Sequence, residues 1–151
     1  AAIRVARGNL TRNGLVHRAH FVCGNWGQAL GDCFDIIVVN PPYIPSGDIK
    51  SLSPEVINHD PHRALFAGLD GLEAYRNFLP ELRGLLRPQG LVALEIGYGQ
   101  AAAVTSLLSD SGFTSIGPHQ DLAGVKRCLL ALPEAPESQD KKRLGMAALC
   151  R

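Results

Sequence analysis

The chain has 151 residues, of which 46% are hydrophobic and 19% are charged, as expected for one soluble globular domain with a substantial core. Fifteen lysines and arginines face 14 aspartates and glutamates, so no broad basic surface is available for direct nucleic-acid binding. No apolar stretch reaches the roughly 18 residues of a membrane helix, and no charged-then-apolar leader opens the chain. We therefore expect a cytoplasmic protein, without a membrane partner, that recognises its ligands at a local site.

The first half of the chain predicts one helix, two strands and a long loop. Helically spaced apolar residues favour a helix over residues 2–13 that Gly14 closes. Because this pattern begins at the first residues, without an initiator Met, we expect a piece of a longer protein. Residues 20–23 predict a short strand, and the apolar run Phe34–Val39 predicts a longer one that is buried on both faces. Residues 40–71 contain five prolines and predict a functional loop.

The second half alternates between helices and strands. Apolar residues at three- and four-residue steps predict two helices, residues 72–86 and residues 101–111, and Pro80 predicts a kink or break in the first. Apolar runs predict three strands, residues 91–96, 114–118 and 127–132, the last two as an antiparallel pair. We expect one domain over residues 1–132 and a flexible charged tail over residues 133–151. The alternation favours a parallel α/β sheet, which binds ligands beyond the carboxyl ends of its strands.

The segment Asn40, Pro41, Pro42 and Tyr43 directly follows the strand Phe34–Val39. Each proline keeps the residue before it out of the helical region, so the turn is fixed before a ligand arrives. The Asn40 side-chain oxygen and the Pro41 carbonyl are acceptors that suit a planar NH2 group, and Tyr43 supplies an aromatic wall. Alignment of such a nitrogen with a sulfonium methyl is worth on the order of 7–11 kcal/mol. The turn therefore favours methyl-transfer chemistry, although alone it is equally consistent with a simple strand terminator.

The sequence around this turn resembles a known family. The stretches "FDIIVVNPPYIPSGDI" and "PEVINHDPHRALFAGLDGLEAYRNFLPELRGLLRPQGLVALEIGYGQ" resemble the catalytic half of the HemK/PrmC family, S-adenosylmethionine-dependent methyltransferases that modify the GGQ glutamine of peptide-chain release factors. The resemblance covers about residues 2–132. It implies a class I methyltransferase sheet of the Rossmann-like α/β type, S-adenosylmethionine as cofactor, release factors as partners and a role in translation termination.

The resemblance also implies roles for individual residues. Asn40, Pro41, Pro42 and Tyr43 correspond to the site for the substrate glutamine, with Asn40, Pro41 and Tyr43 as the catalytic residues and Asn40 also near the cofactor. Trp26 corresponds to a tryptophan that lies against the adenine of the cofactor. Asn25 stands where the family more often has Asp, at the position for which the resemblance implies a contact with the adenine amine. Core packing is the alternative role for Trp26.

Other motifs in the sequence are less specific. The segment "EIGYGQ", residues 95–100, is similar to a phosphate-binding loop but lacks its third glycine, so we interpret it as a strand-to-helix turn. His59 and His62 have no third His or Cys nearby, and the four cysteines show no C-x-x-C spacing, so we expect no metal site. We interpret the two histidines as residues that help order the loop around the substrate.

Parts of the family pattern do not occur in this sequence. The glycine-rich cofactor turn, the acidic ribose-binding residue and the helical docking domain would all precede Ala1. A non-catalytic remnant or binding module that keeps the NPPY pocket is therefore the first alternative function. A nucleic-acid amino-methyltransferase is the second, and the near-neutral charge disfavours it.

The strand order implied by the resemblance, 3-2-1-4-5-7-6, predicts an incomplete sheet that lacks its first two strands. Phe34–Val39, as strand 4, would then have an open edge. Residues 20–23 could shift to pair with it, a second chain could supply the edge, or the first 30 residues could be held by contacts outside the domain. We favour self-association of the chain.

Overall fold

The computed structural model describes residues 2–31 and 33–135, and contacts divide the chain into two compact units, Ala1–Leu30 and Gly31–Arg151. In the first unit, helix α1 (Ala2–Arg12) confirms the predicted helix. Gly14 follows it with a φ of 68°, a left-handed conformation that costs glycine little. The predicted strand at residues 20–23 is wrong, because an apolar run becomes a strand only by pairing and no described strand pairs with it.

The second unit contains a four-stranded sheet. Its strands are β1 (Phe34–Val39), β2 (Leu86–Glu95), β3 (Phe113–Gln120) and β4 (Lys126–Pro133), in the order β1-β2-β4-β3. This order corresponds to the 4-5-7-6 part of the predicted sheet. β1 and β2 are parallel, whereas β4 is antiparallel to both β2 and β3. The sheet is therefore mixed rather than parallel, because the short connection between β3 and β4 permits only an antiparallel pair.

Three α-helices accompany this sheet: α2 (Pro54–His59), α3 (Glu73–Leu85) and α4 (Ala101–Asp110). The predicted loop over residues 40–71 contains α2 and two short 3-10 helices, Ser46–Ser51 and His62–Ala64. α3 continues through Pro80 without a break, and α4 ends before Gly112, whose φ is 76°. None of the described helices combines the length and the apolar character needed to cross a membrane.

The core lies on one face of the sheet. Val92 and Leu94 of β2, together with Leu129 of β4, are fully buried. α3 and α4 add a buried set to this core: Tyr75, Phe78, Leu79, Leu82, Val104 and Leu108. The predicted burial of β1 on both faces is wrong, since Ile36 and Val38 are 59% and 76% exposed. β1 is an edge strand of the sheet, so the layers that bury a central strand on both faces do not enclose it.

The predicted tail begins at residue 133, yet β4 extends to Pro133. From residue 136 onward the tail lies outside the described residues. The boundary between a domain of residues 1–132 and a tail stays a prediction.

Candidate functional site

The NPPY turn lies at the carboxyl end of β1, as predicted. Pro41 is buried, Pro42 and Tyr43 are partly buried, and Asn40 is exposed. Within the described part of the chain, no hydrogen bond engages the Asn40 side chain. The turn therefore has a buried, rigid base and presents an accessible amide, which suits a residue that binds a ligand.

A second segment holds the chain just after this turn. Ile44 forms an isolated parallel bridge with Phe66. The Ile44 N–H donates to the Leu65 carbonyl at 2.9 Å, and the Ala67 N–H donates to the Ile44 carbonyl at 3.0 Å. The neighbouring His62 ring packs edge-on against Phe66, with 5.5 Å between the ring centroids. The "HRALFA" segment thus fixes the NPPY turn from one side.

Tyr43 is fixed from the other side by the end of β2 and the turn that follows it. Its hydroxyl donates to Glu95 Oε1 at 3.0 Å, and its carbonyl accepts a hydrogen bond from Gln100 Nε2 at 2.9 Å. The Tyr75 hydroxyl donates to the Glu95 carbonyl at 2.7 Å. Burial, reinforced by the hydrogen bond to Glu95, raises the pKa of Tyr43, and burial raises the pKa of Tyr75. Both phenols therefore stay protonated as donors at neutral pH.

The segment of residues 95–100 is a strand-to-helix turn between β2 and α4, which confirms that interpretation. The Gly97 N–H donates to Gln100 Oε1 at 2.9 Å, so the other end of the Gln100 amide faces the carbonyls of Tyr43 and Gly71. Sequence reasoning missed the contacts of Glu95 and Gln100 with the NPPY turn. The feature that could have indicated these contacts is the pairing of adjacent parallel strands, because their carboxyl ends meet at the same edge of a sheet.

Gly71, just before α3, permits the close approach of its own backbone to Tyr43. Its φ is 73°, and a Cβ atom there would overlap the Tyr43 carbonyl oxygen and lie 2.8 Å from Gln100 Nε2. We expect Gly71→Ala to reduce the free energy of unfolding by at least about 2 kcal/mol, through backbone strain and steric overlap. Urea unfolding of the chain measures this loss.

Gly84→Ala is the matched control for this prediction. Gly84 lies in α3, and a Cβ atom there would meet nothing within 4 Å. Because alanine is the better helix former, this change should stabilise the chain by roughly 0.5–1 kcal/mol. Equal stabilities of the two variants would contradict the role of Gly71.

Two cavities meet at Asn40. The first, of 160 Å³, is lined by the whole turn together with Ile44, Ala64 and Leu65. The second, of 470 Å³, lies against Asn40 and the end of β1, and its polar lining comes from Glu95, Asp121 and Arg127. The larger volume falls in the range of small-molecule sites. Asn40 thus lines both cavities.

Trp26 and Asn25 belong to the unit Ala1–Leu30. Trp26 has a φ of 48°, an uncommon conformation for a bulky residue. It is 37% exposed, which disfavours simple core packing. The contact of Trp26 and Asn25 with an adenine stays a prediction.

The described residues contain no group of three His, Cys, Asp or Glu side chains that could hold a metal ion. His59 ends α2 and His62 begins the following 3-10 helix. Their place in the loop agrees with an ordering role for the segment.

Two curated proteins with a similar sequence are both named release factor glutamine methyltransferase. A release factor glutamine methyltransferase of Rhodospirillum rubrum is 48% identical over 130 residues, which cover 86% of this chain and 40% of that protein. The enzyme of the same name from Caulobacter vibrioides is 44% identical and covers 91% of this chain and 48% of that protein. The chain is a homologue of the release factor glutamine methyltransferases.

This homologue spans less than half the length of those two relatives. A bifunctional methyltransferase of Rickettsia felis is 37% identical over 145 residues, 95% of this chain and 28% of that protein. No family model matches the sequence. The resemblance predicted from the NPPY segment and its continuation is confirmed.

A solved structure supports the predicted fold. The ribosomal protein L11 methylase of Lactobacillus delbrueckii subsp. bulgaricus superposes with a TM-score of 0.59 at 17% sequence identity, covering 88% of this chain and 53% of that chain. At this identity the likeness concerns the fold alone. The described strands and helices therefore have the α/β methyltransferase fold that the sequence predicts.

Proposed function

We propose that this chain carries the acceptor site of an S-adenosylmethionine-dependent methyltransferase that modifies the side-chain amide of the GGQ glutamine in release factors, and so modulates translation termination. The observation that carries the proposal is the rigid NPPY turn at the carboxyl end of β1, with the exposed Asn40 amide between two cavities. The names of the relatives support a glutamine of a release factor as the acceptor.

The turn performs the chemistry by alignment. The Asn40 side-chain oxygen and the Pro41 carbonyl accept the two hydrogens of the substrate amide, and the partly buried Tyr43 ring limits its tilt. An amide nitrogen is a poor nucleophile because its lone pair is delocalised, so a fixed orientation is the main contribution of the protein. The nitrogen becomes positively charged on methylation and then loses a proton readily, so this step needs no strong base.

S-adenosylmethionine would supply an electrophilic methyl group when bound. The resemblance implies that Asn40, Trp26 and Asn25 would hold it. The 470 Å³ cavity beside Asn40 is compatible with a small-molecule ligand, whereas the roles of Trp26 and Asn25, which belong to the other unit, rest on the resemblance alone.

A change in the substrate tests the acceptor. If the NPPY turn orients a primary amide, a release factor whose GGQ glutamine is changed to glutamate should accept no methyl label from S-adenosylmethionine. The unmodified release factor is the control and should be labelled. The assay uses the natural protein that carries this sequence, at its full natural length.

Two results would contradict the proposal. Labelling of the glutamate variant, or of a nucleic acid in its place, would identify another acceptor. If calorimetric titration detects no binding of S-adenosylmethionine, the chain is instead a binding module that keeps the NPPY pocket.

A further inference from the structure

The last residue of β2 and the turn that follows it contact the NPPY turn at the two ends of Tyr43. Glu95 accepts a hydrogen bond from the phenol, and Gln100 donates one to the backbone carbonyl. The two residues are separated from Tyr43 by 52 and 57 positions in the chain. Methyl transfer to an amide uses neither a carboxylate nor a second amide directly, so the proposed chemistry leaves these side chains without a role.

We propose that Glu95 and Gln100 are positioning residues that fix the Tyr43 ring and backbone, and thereby the direction in which the acceptor amide enters the site. This inference rests on the proposed function. Neither residue needs to touch the substrate, since each acts through Tyr43.

Glu95 sets the direction of the phenol. A hydrogen bond to a carboxylate is roughly twice as strong as one between neutral groups, and the Glu95 backbone is itself held by the Tyr75 hydroxyl at 2.7 Å. Tyr75 is fully buried in α3. The position of the Tyr43 ring is therefore fixed, through Glu95, relative to the core of the sheet.

Gln100 sets the position of the backbone. Its Oε1 atom accepts from the Gly97 N–H, so its Nε2 atom must face Tyr43 and Gly71. The hydrogen bond from Gln100 thus fixes the Tyr43 carbonyl relative to the turn after β2. In the proposed function the acceptors for a substrate NH2 group are the Asn40 oxygen and the Pro41 carbonyl, which lie just before Tyr43 in the same turn.

Loss of this positioning should lower turnover. Misplacement of a reacting group by 1 Å can cost on the order of 100-fold in rate. We expect Glu95→Ala to lower kcat by about 10- to 100-fold, with a much smaller change in the KM for S-adenosylmethionine.

Two variants serve as controls. Glu95→Gln keeps an acceptor for the Tyr43 hydroxyl and should restore most of the rate. Glu55→Gln changes an exposed carboxylate in α2 and should leave the rate unaltered.

A second measurement needs no activity. The chain contains three tyrosines, and carbon-13 NMR of labelled tyrosine side chains follows the titration of Tyr43, with Tyr98→Phe for assignment. Glu95→Gln removes a negative charge that raises the pKa of Tyr43, so this pKa should fall.

The two readouts separate the inference from the proposed function. An unmodified protein that transfers no methyl group to a release factor would contradict the proposed function, whatever the titration shows. An active unmodified protein whose Glu95→Ala variant is equally active would contradict the positioning role alone. The same holds if the pKa of Tyr43 is unchanged in Glu95→Gln, because the contact would then be absent in solution.

Discussion

Asn40→Ala should abolish glutamine methylation while the fold stays intact. The side chain is exposed, and it lies in a turn rather than in the core, so its removal should change the free energy of unfolding by no more than about 0.5 kcal/mol. The variant loses one of the two acceptors that hold the substrate amide, and we expect a loss in rate of at least on the order of 100-fold. Single-turnover methylation of a release factor measures the rate, and urea unfolding measures the stability.

Asn77→Ala provides the matched control for this prediction. Asn77 is also an exposed asparagine, but it lies in α3 and lines none of the cavities at the NPPY turn. Its removal should leave the methylation rate unchanged. An Asn40→Ala variant as active as Asn77→Ala would remove Asn40 from the site.

Local chemistry explains which elements the sequence predicted well. The strand Phe34–Val39 has the predicted bounds because a continuous apolar run is followed by two prolines that prevent its extension. α4 ends where predicted to within one residue because Gly112 takes up a left-handed conformation. The rigid base of the NPPY turn likewise follows from steric restrictions on neighbouring residues.

Long-range pairing explains what the sequence did not predict. Residues 20–23 have the apolar character of a strand, but a strand also needs a partner, which no local pattern can specify. The contacts of Tyr43 with Glu95 and Gln100 span more than 50 positions, and only the parallel pairing of β1 with β2 brings them together. The exposure of Ile36 and Val38 likewise depends on the position of β1 at the edge of the sheet.

The two edges of the sheet differ in how well they are protected. β3, at one edge, contains Pro118 and Gly117 and pairs with β4 through two register shifts, features that discourage pairing with another chain. β1, at the other edge, contains no proline or glycine, and it combines one charged residue, Asp35, with a largely apolar sequence. β1 is therefore the edge at which we expect self-association.

The 151-residue chain should associate through β1, and Val38→Lys should shift it towards the monomer. Val38 is 76% exposed in the middle of the apolar part of β1. A lysine there keeps the strand in its sheet but places like charges together in a symmetric pair, which opposes edge-to-edge contact.

Ile116→Lys, at a 56% exposed position of β3, is the matched control. It adds the same charge at the other edge and should leave association unchanged. Sedimentation velocity over a range of concentrations measures both variants. An unmodified chain that stays monomeric throughout that range would contradict the prediction, because the open edge of β1 would then be tolerated in water without a second copy.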